Sequence, residues 1–141
     1  MLKDLINEFR PPKDLTATAT FEGLFEVTFS FVPDSELDTM LEKVKKVKRG
    51  KEKFDDKAFH RMLAKRAVDW DRVSIRTLAE LGAIQLAKVP PERHDEEVPF
   101  STSDLADLMD VVPRVGTWLL NEANTPGNFD LAEEQGNSAT G

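Results

Sequence analysis

The chain has 141 residues, no cysteine and a formal net charge of −7. That length fits one domain with a real core. The missing cysteines exclude disulfides, thiolate metal sites and cysteine nucleophiles, and the acidic balance disfavours general nucleic-acid binding.

Residues 1–14 carry a brief apolar pattern, Leu2, Leu5, Ile6 and Phe9, stopped by Pro11-Pro12. One or two helical turns and a loose arm both fit it. No apolar run approaches a membrane span. Met1-Leu2-Lys3-Asp4-Leu5 lacks the features of a signal peptide, so a cytoplasmic protein is expected.

Residues 15–32 alternate in period two on both sides of Glu22-Gly23. Leu15, Ala17, Ala19 and Phe21 interleave with threonines, and Phe25, Val27, Phe29 and Phe31 interleave with polar residues. An antiparallel hairpin follows, with a phenylalanine-rich face that helices must cover.

Five helical stretches, a tryptophan segment and a tail complete the reading. Leu37, Met40, Leu41, Val44 and Val47 predict a helix over about 35–48, with acids at its start, a basic end and Gly50 as its stop. A second helix is expected over about 56–67, capped by Asp55 or Asp56 and running into Val68-Asp69-Trp70. A weaker stripe suggests a third over about 74–87, before Pro90-Pro91 and a polar loop. Ser101 can cap a helix over about 102–110, with Phe100 and Leu105 as a hydrophobic staple. Pro113 then starts a last helix over about 114–123. The composition from Asn124 to Gly141 predicts a flexible tail, with Phe129 alone in it. The fold class expected is therefore α+β, mostly helical: one globular domain over 1–123, a hairpin packed against short helices, and a tail over 124–141.

Chemistry is hard to assemble from these residues. His60 and His94 have no second histidine at ligand spacing, and His94-Asp95-Glu96-Glu97 reads as a solvated acidic loop. Ser101 and Ser103 are explained by capping. The glycines are scattered, with no phosphate loop. The expectation is a protein without catalytic residues, metal or cofactor. The basic run Lys43–Lys53 reads as a solvated helix end rather than a nucleic-acid site. Trp70 and Trp118 each admit two roles, core packing and partner anchor. Leu119 and Phe129 complete the candidate partner-binding set.

The order of Val68-Asp69-Trp70-Asp71, Glu97-Val98-Pro99-Phe100-Ser101, Leu105-Leu108-Met109, Pro113 to Trp118, Asn128-Phe129 and Gly136-Asn137-Ser138 resembles the tail assembly chaperones of long-tailed bacteriophages and prophages. The likeness spans about Ala58 to Ser138. It implies a non-catalytic protein of the host bacterial cytoplasm that holds the tape-measure protein, helps recruit tail-tube subunits and is absent from the mature virion. It also implies that a longer, frameshifted form can exist, and it is compatible with a homo-oligomer. No membrane or nucleic-acid partner is expected. The alternative is a structural tail or capsid subunit, a connector or completion protein retained in the virion.

Overall fold

Residues 1–132 are described in a computed structural model. In chain order the elements are α1 (Leu2–Phe9), β1 (Thr16–Phe21), β2 (Phe25–Ser30), α2 (Asp34–Val44), β3 (Lys45–Lys48), β4 (Lys51–Phe54), α3 (Asp56–Ala64), β5 (Ala67–Asp71), α4 (Ile75–Glu80), α5 (Thr102–Val111) and α6 (Pro113–Ala123). The class is α+β and mostly helical.

The alternation around Gly23 forms the hairpin it predicts. Thr16 lies opposite Ser30 and Phe21 opposite Phe25. Glu22 and Gly23 take positive φ at the turn, 47° and 72°. Phe21, Phe25, Val27 and Phe29 are buried on the inner face. On the outer face, the hydroxyls of Thr18 and Thr28 hydrogen-bond across the strands at 2.7 Å.

A third strand, β5, pairs antiparallel with β2 and gives the order β1-β2-β5. The helix expected over about 56–67 leaves Trp70 beyond its end. Instead α3 ends at Ala64 and the chain enters the sheet at Ala67. Thr28 pairs with Asp69 but Phe29 with Ala67, so Val68 is the extra residue of a bulge. The bulge lets Ala67 and Trp70, three apart, both be buried. It also breaks the alternation by which a strand is recognised.

Two more helices are shorter than expected. The one expected over 35–48 stops at Val44, and Lys45–Lys48 pairs with Lys51–Phe54 as a separate two-stranded ribbon. Arg49 and Gly50 both have positive φ, 53° and 75°, the geometry of a two-residue hairpin turn. Gly50 therefore turns a ribbon rather than ending a helix. The helix expected over 74–87 is only α4. Gly82, at φ 85°, follows its last residues in the left-handed region and stops it before Pro90.

The other two helices match their caps. Ser101 Oγ accepts the Asp104 amide at 3.0 Å at the start of α5, and Pro113 opens α6. The inner sheet face is covered by α3, α5 and α6, which contribute Leu63, Leu105, Met109, Val115 and Leu119 to the core.

The packed body continues past residue 123, contrary to the expectation of a tail from Asn124. Val32 donates its amide to Ala123 O at 2.8 Å, and Asn124 Nδ2 donates to Val32 O at 2.8 Å. Pro126–Phe129 forms a 3-10 turn that buries Phe129 against Phe29 and Phe31. The lone aromatic supplies apolar area that the polar residues around it lack. The remainder of the expected tail, 133–141, including Gly136-Asn137-Ser138, lies outside the described residues.

Candidate interaction surface

Three of the four residues expected to anchor a partner belong to the core. Trp70, Leu119 and Phe129 are 8%, 1% and 5% exposed. Trp70 Nε1 donates to Val98 O at 2.8 Å, and its ring meets Phe100 edge-on at 5.5 Å. Trp118 is half-buried. It packs edge-on against Phe21 at 5.2 Å and Phe25 at 6.5 Å, closing the hairpin end of the sheet. The four do not converge on one patch. They staple helices, turn and sheet together.

The apolar surface lies instead on α1. This helix buries none of its residues. Leu2, Leu5, Ile6 and Phe9 recur at helical spacing along one side, and all are exposed. Beside it runs a groove of about 550 Å³ lined by Ile6, Pro11, Pro12, Phe31, Glu36 and Arg66 among others. Arg66 lines it, with Nη1 pairing with Glu36 and Nη2 donating to Phe31 O at 2.8 Å. The brief pattern before Pro11-Pro12 was the available signal for this surface.

A second polar constellation joins α3, α5 and α6. His60 Nδ1 lies 2.7 Å from Asp110 Oδ1, and Arg61 Nη1 lies 3.4 Å from Asp110 Oδ2. Burial pushes the Asp110 carboxyl up, but the hydrogen bonds from His60 and Arg61 outweigh it and hold the group below the usual carboxylate range. The absence of a side chain at Gly116 lets α6 approach the other edge of the imidazole. A Cβ there would sit 3.2 Å from His60 Nε2. The arrangement clamps three helices.

The acidic loop is tied to its neighbours. Asp95 pairs with Arg76 at 3.0 Å and Glu96 with Arg93 at 2.9 Å, while His94 Nε2 lies 2.9 Å from Val89 O. The Arg93 guanidinium holds the Glu96 carboxyl below its ordinary value. Among the described residues, no three His, Asp or Glu side chains converge as a metal site, and no helix is long and apolar enough to cross a membrane.

What this geometry defines is a small α+β body with an exposed apolar helix and a basic ribbon. No family model, curated protein or solved structure matches the chain.

Proposed function

We propose that this protein is a non-catalytic tail assembly chaperone of a long-tailed phage or prophage. It acts in the host bacterial cytoplasm, binds the tape-measure protein and helps recruit tail-tube subunits. The reading rests on the order of sequence segments from Ala58 to Ser138, and the observation that supports it is the exposed apolar stripe of α1. A stripe of Leu2, Leu5, Ile6 and Phe9 is costly to leave in water and suits the apolar side of a long helical client. The net charge of −7 keeps a protein with such a surface soluble.

The contact falls on α1 rather than on Trp70, Leu119 and Phe129, whose side chains are occupied in the core. Co-expression with the neighbouring tape-measure protein, followed by affinity purification from the soluble fraction, tests the reading. The expected result is a soluble complex that is lost in a Leu5→Glu, Phe9→Glu variant whose melting temperature is unchanged. A tape-measure protein that stays insoluble and unassociated overturns it. The alternative, a connector or completion subunit, is separated by mass spectrometry of purified virions. A chaperone is missing from them, and a structural subunit is present.

A further inference from the structure

The ribbon sorts its charges by face. Lys46 lies directly across from Lys53, and Lys48 directly across from Lys51. Opposed residues share a face and so do residues two apart, so these four lysines occupy one side of the ribbon. Lys45, Val47, Glu52 and Phe54 occupy the other. Like charges directly opposite each other destabilise a strand pair. A ribbon arranged for its own stability would alternate their signs.

The ribbon's own carboxylates do little to neutralise the lysine face. Lys46 reaches Asp55 at 3.1 Å. Lys48, Lys51 and Lys53 have no carboxylate within ion-pair distance among the described residues. The one acid within the ribbon, Glu52, is spent on the opposite face, 2.9 Å from Lys45. On that face Val47 and Phe54 are 69% and 50% exposed. Among the described residues the ribbon pairs with no other strand, which leaves both backbone edges open.

We propose that the β3–β4 ribbon is the docking site for an extended segment of a partner protein in which acidic and apolar residues alternate. The segment adds to an open edge as a third strand. Its carboxylates then lie on the same face as Lys46, Lys48, Lys51 and Lys53, directly beside the lysines of the strand it joins, and its apolar side chains extend the face of Val47 and Phe54. Period two is what places the two chemistries on opposite faces. The proposal stands on the ribbon alone and does not depend on the chaperone reading.

Charge complementarity favours a short acidic peptide over a nucleic acid. Residues 43–53 hold seven of the chain's 19 Lys and Arg and only Glu52 of its 26 acids, which leaves 12 cations against 25 acids elsewhere. A ribbon of four residues per strand is roughly 13 Å long. A phosphodiester chain longer than that would run onto an acidic body within about one Debye length, ~10 Å at 0.1 M salt. A peptide of about six residues covers the ribbon and stops.

The test is fluorescence anisotropy on the full chain with a labelled peptide of three alternating Glu-Val pairs. A peptide of the same composition in two blocks and a single-stranded oligothymidine of equal charge serve as comparison probes. The alternating peptide is expected to bind at least tenfold tighter than either, with amide shifts confined to residues 45–54. Lys48→Glu is the informative variant: it puts an acid across from Lys51, so the ribbon is stabilised while the lysine face is weakened. Binding of the alternating peptide should fall several-fold with no loss of melting temperature. Val47→Asp should weaken it through the other face. Equal binding of the blocked peptide, tighter binding of the oligonucleotide, or undiminished binding by Lys48→Glu overturns the proposal.

Discussion

Phe129 meets Phe29 edge-on, with ring centroids 5.8 Å apart across a sequence separation of 100 residues. The contact ties the turn after the last helix to the central strand of the sheet. Because Phe129 is 5% exposed, its removal leaves a cavity rather than a bare surface. Phe129→Ala is expected to cost about 3 kcal/mol, the usual scale for a buried phenylalanine. Urea denaturation checks this. A variant as stable as the parent would place the residue outside the core.

The Asp110 carboxyl gives the fold a pH dependence of known sign. Its folded value lies below the ordinary one. The stability it contributes is therefore complete above the ordinary carboxylate range and is lost as pH falls through the depressed folded value. Asp110→Asn is expected to cost about 1–2 kcal/mol near neutrality, since a hydrogen bond to a charged group is weakened. The difference between the two proteins should close as pH falls below about 4. Denaturation curves at a series of pH values measure it, and a gap that stays constant with pH contradicts the assignment.

Gly116 and His60 should be energetically coupled. A Cβ at Gly116 would gain up to about 1 kcal/mol of helix propensity but would stand 3.2 Å from His60 Nε2. Gly116→Ala is therefore expected to stabilise a His60→Ala background more than the parent, by about 0.5–1 kcal/mol. A double-mutant cycle reads this coupling directly. Additivity would mean that the ring relaxes away freely.

Ser101→Ala removes the acceptor for the Asp104 amide and leaves the first turn of α5 short of one partner. A loss of about 1 kcal/mol is expected by chemical denaturation. Ser103→Ala, inside the same turn, serves as the comparison and should be smaller.

What could be read in advance divides along physical lines. The β1–β2 hairpin, α5 and α6 were legible because alternation, a capping serine and Pro113 are local signals. Strand β5 was not, because the bulge at Val68 puts Ala67 and Trp70 three apart. The ribbon hid behind Val44 and Val47, whose spacing suits a helix, while the decisive signal was the Arg49-Gly50 turn. Phe129 was invisible as core, since a lone aromatic in a polar stretch has no period and its partner is far away in sequence. The candidate surface was hidden for a similar reason: a large aromatic suits core and anchor alike, and Trp70 is buried, whereas exposed apolar side chains line α1.

The backbone bond from Val32 to Ala123 joins the segment just after the early hairpin to the end of a helix made late. During synthesis the hairpin leaves the ribosome with Phe21, Phe25 and Phe29 uncovered, and α5 and α6, which complete their cover, follow roughly 75–100 residues later. At about 5–20 residues per second, that interval lasts on the order of 5–20 seconds. A nascent chain in this condition exposes apolar surface, so the yield of this protein in a cell should respond to translation speed and to the supply of chaperones that bind nascent chains more than its finished stability suggests.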